Sequence, residues 1–394
     1  MSEKYSKRIL IAGGGYAGIQ AALTLERLLN RTDSRILLID KNKYHTLLPS
    51  LPEIISKRGF SIINYTDIIQ TKKIDFIQTT VTNIDLEKKE VFTSGNSYPL
   101  GYDFLIISLG STPFLPNIPG LREYAIRFNT IQDAEKLANK LLDTDLRGNI
   151  VIGGAGATGV ELAGEIASVL KQRYSRSNQY HHHHHTTTVT LVSPYLLPGF
   201  PESTVKWAKA YLESMQVNLV LGSECYITEV KTDSICLKNG SEIKATMFIW
   251  TGGVTTIPLL QNIGLKTGDK GRVVVNKFLQ ATGRANVFVI GDAALVVDNQ
   301  GQPLPTNAYF AEQHGKVAAQ NIYALIEGKR LQEYIPERAG SNFAISIGSN
   351  FAVSRVGGLD LFGYSASKLK KIIKMKYLRD VGSSTLAGKE YSKF

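Results

Sequence analysis

Two glycine-rich segments have the residue types and the spacing that could bind a pyrophosphate. The first has glycines at Gly13, Gly14, Gly15 and Gly18, between a short apolar segment and an apolar predicted helix. The first of these glycines permits a tight turn, the third lets the backbone approach an anion, and the last lets helix and strand pack closely. The next predicted strand ends at Asp40, whose carboxylate can accept hydrogen bonds from ribose hydroxyls. This context predicts a dinucleotide-binding unit.

The same pattern recurs in the middle of the chain, at Gly154, Gly156 and Gly159. Its next predicted strand arrives late, after a polar stretch that contains His181–His185, and it ends at Ser193 instead of an acid. A neutral residue there removes the usual ribose-binding carboxylate and its repulsion of a 2′-phosphate, so both NADH and NADPH are compatible. The histidine run could bind a metal, but no carboxylate or cysteine neighbours it. A solvated loop or a cloning remnant is favoured, and no metal site is predicted.

A third apolar strand is followed by Gly291 and Asp292. Alone, this aspartate would be interpreted as the cap of the next helix. Because two nucleotide-binding units precede it, a nucleotide contact is favoured. The only cysteines, Cys225 and Cys236, are too far apart for a Cys-x-x-Cys unit and lack metal-ligand neighbours, so we interpret them as buried or incidental thiols.

Length and charge limit the classes of function that need to be considered. The 394 residues are enough for two or three domains. The net charge of +11 favours anionic partners, but no nucleic-acid module is recognisable, so nucleic acid is not expected as a partner. The sequence shows no secretory signal and no apolar run long enough to span a membrane.

Residues 8–320 together resemble the pyridine-nucleotide-dependent flavoproteins with two dinucleotide-binding domains and, within them, the type II NADH:quinone oxidoreductases. The resemblance implies non-covalent FAD held by the first glycine segment, by Asp40 and by Asp292. It also implies cofactor contacts at Gly110 and Gly291. The second glycine segment and Ser193 would hold NADH or NADPH. Glu161 would lie near nicotinamide and flavin, where it would position the nicotinamide or manage charge and protons.

The segment 307–315 is similar to the quinone-site helix of that family, which carries two glutamines four residues apart. Gln313 matches the second glutamine and Tyr309 replaces the first, on one helix face. The resemblance implies hydride transfer from nicotinamide to flavin and then reduction of a quinone whose carbonyl Gln313 orients. Two alternatives stay open. One is a soluble reductase of a small redox protein, for which Tyr309 and Ser193 are suggestive departures. The other is an FAD- and NAD-binding redox sensor that turns over poorly.

The C-terminal segment 365–379 predicts a basic amphipathic helix. Leu369, Ile372, Ile373 and Lys376 have helical spacing, and lysines occupy much of the opposite face. Such a helix can lie on an anionic membrane surface, and the resemblance to type II enzymes favours this over packing on its own domain. We therefore expect a cytoplasmic protein that is peripheral on the inner face of the cell membrane. A homodimer is expected only because such dimers are common.

The predicted fold class is α/β, with two Rossmann-like dinucleotide-binding domains and a small C-terminal domain that carries the basic amphipathic helix. We expect residues 1–115 and 251–330 to form the two parts of the FAD-binding domain and residues 116–250 to form the NAD(P)H-binding domain. Residues 331–394 are expected to be the membrane-docking C-terminal region.

Overall fold

The structure is a computed structural model that describes residues 7–29, 34–57, 62–142, 146–177, 187–337, 340–382 and 387–388. The His181–His185 run lies outside these described residues. Within them the chain forms ten α-helices: α1 (Tyr16–Leu29), α2 (Leu51–Ile55), α3 (Tyr65–Ile69), α4 (Leu121–Tyr124), α5 (Ile131–Leu142), α6 (Ala157–Ser177), α7 (Glu202–Ser214), α8 (Leu259–Asn262), α9 (Ala308–Ile326) and α10 (Tyr364–Asp380). Short 3₁₀ helices span Leu48–Ser50, Asp269–Gly271 and Gly291–Ala293.

The first large sheet has five parallel strands, and the strand that leads into the first glycine segment lies at its centre. In spatial order the strands are Val287–Val289, Phe104–Ile107, Arg8–Ala12, Arg35–Asp40 and Ile74–Gln78. The central strands are nearly continuous apolar runs because both faces of a parallel sheet are covered. Helix α9 packs against α1 so closely that a Cβ on Gly315 would lie 2.4 Å from the Ala17 carbonyl oxygen.

The second large sheet repeats this arrangement with the other glycine segment. Its parallel strands, in spatial order, are Ile126–Arg127, Met247–Trp250, Gly148–Gly153, Thr187–Ser193 and Val217–Leu221. In both sheets the strand before the glycines is central, the next strand in sequence lies on one side, and a later strand lies on the other. The predicted α/β fold with two Rossmann-like sheets is therefore confirmed.

Smaller antiparallel and two-stranded sheets surround the two large ones. They pair Tyr44–Thr46 with Ile62–Asn64, Ser111–Pro113 with Val254–Thr256, and Val273–Val274 with Ala294–Leu295. Three-stranded sheets consist of Val81–Asp85, Glu90–Thr93 and Leu100–Gly101, of Ile227–Val230, Ser234–Leu237 and Glu242–Lys244, and of Phe343–Ser346, Ala352–Val356 and Leu359–Gly363. The last of these sheets packs against α10 and forms the C-terminal region.

Helix α10 is present, as the sequence predicts, but it does not have the predicted distribution of lysines. The Lys370 and Lys374 side chains are only 14% and 10% exposed, because they form ion pairs with carboxylates of α6 and α2. The outward positions include Ile372 and Ile373, which are 49% and 46% exposed. The predicted basic face of the helix therefore does not include these two lysines. Among the described helices, none has the length and apolar character needed to cross a membrane.

Candidate functional site

The first glycine segment forms a turn that is tightly packed on one side and open on the other. Gly13 has φ +104°, and a Cβ there would lie 2.2 Å from the Ser108 carbonyl oxygen. A Cβ on Gly18 would lie 1.9 Å from the Gly13 carbonyl oxygen, so the helix could not approach the strand with a larger residue. A Cβ on Gly15, in contrast, would have no atom within 4 Å. This open space at the N-terminus of α1 is where a pyrophosphate can approach the backbone.

Asp40, at the end of its strand, lies beside this turn. One carboxylate oxygen accepts a hydrogen bond from the Gly14 N–H at 2.8 Å, and the other accepts one from the Asn42 N–H, also at 2.8 Å. Burial raises the pKa of Asp40, and these two N–H donors partly offset the shift. The carboxylate is thus fixed at the turn, and each oxygen keeps a lone pair that could accept from a ribose hydroxyl.

The second glycine segment has the same geometry. Gly154 has φ +108°, and a Cβ there would lie 2.7 Å from the Thr251 carbonyl oxygen. A Cβ on Gly159 would lie 1.9 Å from the Gly154 carbonyl oxygen, whereas one on Gly156 would have no atom within 4 Å. Ser193 ends the neighbouring strand and is half-buried. The protein therefore has two cradles of one design, each open at its middle glycine.

A hydroxyl group closes each cradle, and sequence reasoning did not assign either one. Ser108 Oγ donates to the Gly13 carbonyl oxygen at 2.5 Å, and Thr251 Oγ1 donates to the Gly154 carbonyl oxygen at 2.8 Å. Each residue directly follows the strand next to the glycine strand, Phe104–Ile107 in one sheet and Met247–Trp250 in the other. A hydroxyl residue at this same place in both repeats was the sequence signal that could have found them.

Asp292 and Gly291 lie at the edge of the first sheet, next to the start of α9. Ser111 Oγ donates to Asp292 at 2.7 Å. Burial raises the pKa of Asp292, while Ser111 and Arg272 lower it. Gly291 has φ +64°, and its N–H donates to His314 Nδ1 at 3.2 Å. A small pocket between Asp292 and the first turn of α9 is lined by polar and apolar groups, among them Asn307, Phe310 and His314.

Gly110, the remaining predicted cofactor contact of the first half, follows the strand Phe104–Ile107 by three residues. It has φ +69°, in the left-handed region, and a Cβ there would have no atom within 4 Å. The next residue, Ser111, is the hydrogen-bond donor to Asp292. Gly110 therefore adjoins the residue that holds the Asp292 carboxylate, and the position of its missing Cβ faces open space.

Glu161, on α6, forms a buried ion pair with the C-terminal helix. Its Oε1 atom accepts from Lys370 Nζ at 2.5 Å, from the Ser346 N–H at 3.0 Å and from Ser346 Oγ at 3.3 Å. Lys370 Nζ also donates to Ser346 Oγ at 2.8 Å. Burial lowers the pKa of Lys370, but the nearby carboxylates of Glu161, Glu53 and Glu165 raise it more, so that the net shift is upward. Lys370 is therefore a protonated ammonium inside the protein.

The predicted acceptor residues lie together on one face of α9. Asn342 Nδ2 donates to Tyr309 Oη at 3.2 Å, and Tyr334 Oη donates to Gln313 Oε1 at 3.2 Å. Burial raises the pKa of Tyr309, as does Glu337, whereas hydrogen bonds from Gln313 and Asn342 lower it. Asn342 directly precedes the short strand Phe343–Ser346, and Ser346 ends it, so this strand connects the Tyr309 group to the Glu161 group.

Two further classes of site find no support in the described part of the chain. Cys225 and Cys236 are free thiols, in and beside the Ile227–Lys244 sheet, and neither contributes to a glycine cradle. Over the same residues no group of three or more histidine, cysteine, aspartate or glutamate side chains could hold a metal ion.

The chain is similar to proteins of known name over nearly its full length. A family model described as pyridine nucleotide-disulphide oxidoreductase matches residues 7–315. A type II NADH:quinone oxidoreductase of Staphylococcus haemolyticus is 30% identical, with 98% of each chain covered. A protein of the same name from Staphylococcus aureus is 29% identical, again with 98% of each chain covered.

Solved structures share the fold at lower identity. NDH2 from Plasmodium falciparum, in complex with NADH, superposes with a TM-score of 0.83 at 18% identity, covering 98% of each chain. The sulfide:quinone oxidoreductase of Aquifex aeolicus superposes with a TM-score of 0.79 at 19% identity, covering 95% of this chain and 91% of its own. Two glycine cradles of one design, and sequence similarity across both, place this chain in the pyridine nucleotide-disulphide oxidoreductase family and, within it, among the type II NADH:quinone oxidoreductases.

Proposed function

We propose that this protein is an FAD-dependent NADH:quinone oxidoreductase, which takes hydride from the nicotinamide and passes electrons to a quinone without redox cysteines. The observation that carries this proposal is the duplicated cradle, with open space at Gly15 and at Gly156. Two such cradles in one chain fit two dinucleotides, one that stays bound and one that exchanges. The names of the Staphylococcus relatives support both NADH as donor and quinone as acceptor.

FAD fits the first cradle. The turn at Gly13–Gly18 leaves room for the pyrophosphate, Asp40 has lone pairs for ribose hydroxyls, and Asp292 lies at the edge where the same sheet receives a later strand. FAD bound there supplies the isoalloxazine ring, which can accept hydride and release electrons. We assign residues 1–115 and 251–330 to this FAD-binding half and residues 116–250 to the nicotinamide-binding half.

The second cradle is assigned to NADH, at Gly154, Gly156 and Gly159. Ser193 lies where an acid would hold the adenosine ribose and repel a 2′-phosphate. The names of the relatives favour NADH as the donor, and the neutral Ser193 does not exclude NADPH. Ser193→Glu should therefore lower kcat/KM for NADPH much more than for NADH, and an equal loss for both would contradict this assignment.

Glu161 and Lys370 are assigned to charge control beside the reacting rings. The Lys370 ammonium is a buried positive charge held in place by Glu161 and Ser346. Because Lys370 lies on α10, the C-terminal helix contributes a side chain to this ion pair. A fixed positive charge stabilises negative charge that develops nearby during electron transfer, and the buried location makes the effect larger than it would be in water.

The acceptor is assigned to the face of α9 that carries Tyr309 and Gln313. Gln313 is oriented by Tyr334, and Tyr309 is oriented by Asn342, so both polar groups are fixed before an acceptor arrives. A carbonyl acceptor such as a quinone would accept a hydrogen bond from either one. Tyr309 in the place of a glutamine also favours a second candidate, a reductase of a small redox protein.

Membrane docking is assigned to the C-terminal region. Helix α10 exposes Tyr364, Ile372 and Ile373, and the adjoining hairpin exposes further large apolar side chains: Val356, Leu359, Leu361 and Phe362. Exposed apolar groups on neighbouring elements, combined with a net charge of +11, suit the interface of an anionic bilayer. This surface would place the acceptor side of the protein where a membrane-dissolved quinone is available.

Steady-state kinetics test the proposal. Purified protein should oxidise NADH rapidly with a short-chain quinone, and Cys225→Ser/Cys236→Ser protein should retain that activity because no dithiol takes part. Loss of activity in the cysteine-free variant, with its fold and FAD content intact, would contradict direct transfer. Activity with a small iron–sulfur protein and none with any quinone would select the second candidate.

A further inference from the structure

The backbone of the first glycine cradle is connected by side-chain hydrogen bonds to the C-terminal helix. The Gly14 carbonyl oxygen lies 3.1 Å from His45 Nδ1, and His45 Nε2 lies 2.9 Å from Tyr377 Oη. Tyr377 belongs to α10, 332 residues along the chain from His45. Both side chains are buried, with 1% and 6% of their surface exposed, so these bonds do not compete with bulk water.

The chemistry of the partners fixes the direction of this chain of hydrogen bonds. A carbonyl oxygen only accepts, so His45 Nδ1 must carry the proton in its contact with Gly14. Burial lowers the pKa of His45 to about 4, so the ring is neutral and its other nitrogen, Nε2, has a lone pair. Tyr377 Oη must therefore be the donor to Nε2. The tyrosine hydroxyl thus holds the imidazole in the one tautomer that can donate to Gly14.

A second tyrosine reinforces the same carbonyl, and a third packs over the pair. Tyr65 Oη donates to the Gly14 carbonyl oxygen at 2.8 Å. Tyr16, the first residue of α1, packs against Tyr377 with ring centroids 4.6 Å apart and against His45 at 4.8 Å. Gly14 itself must be glycine, because a Cβ there would lie 2.2 Å from Tyr65 Oη.

These bonds act on the peptide that joins Gly14 to Gly15. Donors at a carbonyl oxygen fix the orientation of the peptide plane, and they polarise it so that the following N–H becomes a stronger donor. That N–H belongs to Gly15, the residue that faces open space in the cradle. A firmer and more polar N–H there would hold a pyrophosphate more tightly.

We propose that Tyr377 and His45 are positioning residues for FAD, so that docking of α10 controls how tightly the first cradle retains its cofactor. The inference rests on the proposed assignment of FAD to this cradle. Tyr377 acts only through His45, and His45 acts through the Gly14–Gly15 peptide. The helix that presents the exposed Ile372 and Ile373 is thereby coupled to the FAD site.

The test is the rate of FAD release from the purified holoenzyme after dilution, followed by the fluorescence of free FAD. Tyr377→Phe keeps the ring packing and removes only the hydroxyl, and it should raise the release rate about 5- to 10-fold, as loss of one hydrogen bond predicts. His45→Leu should raise it more. His45→Asn, which can keep a donor near the Nδ1 position, should fall between wild type and His45→Leu.

The double variant Tyr377→Phe/His45→Leu shows whether Tyr377 acts through His45 or whether each substitution weakens packing independently. Because Tyr377 acts through His45, the double variant should release FAD no faster than His45→Leu alone. The KM for NADH, which reports on the other cradle, should not change in any of these variants. Tyr211→Phe is the control, since Tyr211 stacks on Phe351 in the C-terminal region, outside the cradles.

An unchanged release rate in Tyr377→Phe, or additive effects in the double variant, would overturn the inference. If His45→Leu does not fold, Tyr377→Phe and His45→Asn decide the matter. Failure of the proposed function has a different signature: wild-type protein would carry no FAD and would take up none when it is added. That result would contradict both the assignment of FAD to the first cradle and the role of Tyr377 and His45 in holding it.

Discussion

Removal of the Lys370 ammonium should destabilise the protein far more than removal of a surface lysine. Lys370→Met keeps the length of the side chain but leaves the Glu161 carboxylate buried without its counter-charge. Breaking one side of a buried ion pair typically costs about 3–5 kcal/mol, because an uncompensated charge stays inside. The two hydrogen bonds from Ser346 remain, so we expect the lower end, about 3 kcal/mol.

The double variant shows whether the cost comes from the lost partner. Glu161→Gln/Lys370→Met removes both charges of this pair, so it should be more stable than Lys370→Met alone, with a coupling energy of about 2 kcal/mol. Lys238→Met is the matched control. Lys238 and Glu224 form a pair with side chains 56% and 55% exposed, and such pairs contribute about 0–1 kcal/mol.

Urea denaturation followed by circular dichroism measures these differences, with all variants at one pH and one FAD concentration. Lys370→Met should lower the denaturation midpoint clearly, and Lys238→Met should leave it nearly unchanged. Equal small effects from both lysines would refute the buried ion pair. Strict additivity in the double variant would show that Glu161 and Lys370 do not interact.

Three other predictions concern the cradles, the membrane surface and pH. Ser108→Ala should weaken FAD retention several-fold and leave the KM for NADH unchanged, because each hydroxyl holds only its own glycine turn. Thr251→Ala should raise the KM for NADH and leave FAD retention unchanged. Equilibrium FAD release and initial rates distinguish the two variants. Ile372→Ser/Ile373→Ser should reduce co-flotation with vesicles that contain phosphatidylglycerol without changing NADH oxidation in detergent, and undiminished flotation would contradict the docking surface. Burial lowers the pKa of His45 from 6.5 to about 4. The stability that this neutral imidazole contributes is fully present above pH 6.5 and is lost as the pH falls from 6.5 towards 4, with a loss of about 2 kcal/mol by pH 5. The pH dependence of the urea midpoint should therefore be less steep in His45→Asn, and identical slopes would count against a buried neutral imidazole.

The glycine cradles could be predicted from the sequence because their physics is local. About a dozen consecutive residues contain all the necessary signals: a strand, a turn that needs a positive φ at its first glycine, and a helix that needs close approach at its last glycine. Gly13, Gly154 and the strand end at Asp40 have the predicted geometry. Ser108 and Thr251 were missed because they lie 95 and 97 residues further along the chain than the glycines to which they donate.

The C-terminal helix shows the limit of reading periodicity alone. Its lysines look like a solvated face because nothing within the segment offers them a partner. The carboxylates that draw Lys370 and Lys374 inward come from Glu161 and Glu53, 209 and 321 residues earlier in the chain. The connection from Tyr377 to the first cradle is equally invisible from local pattern. Long-range pairing of this kind decides which side of a helix faces the protein, and only the tertiary structure supplies it.

An anaerobic titration can show whether electrons pass from NADH through the flavin to a quinone. Purified protein is titrated with NADH while the oxidised flavin absorbance is followed, and a short-chain quinone is then added in the absence of oxygen. NADH should bleach the flavin band at about one equivalent per bound FAD, and the quinone should restore it. Bleaching that the quinone does not reverse would contradict a quinone acceptor. A flavin band that NADH cannot bleach would contradict the paired cradles as an electron-transfer site and would indicate a redox sensor that binds both nucleotides without turnover.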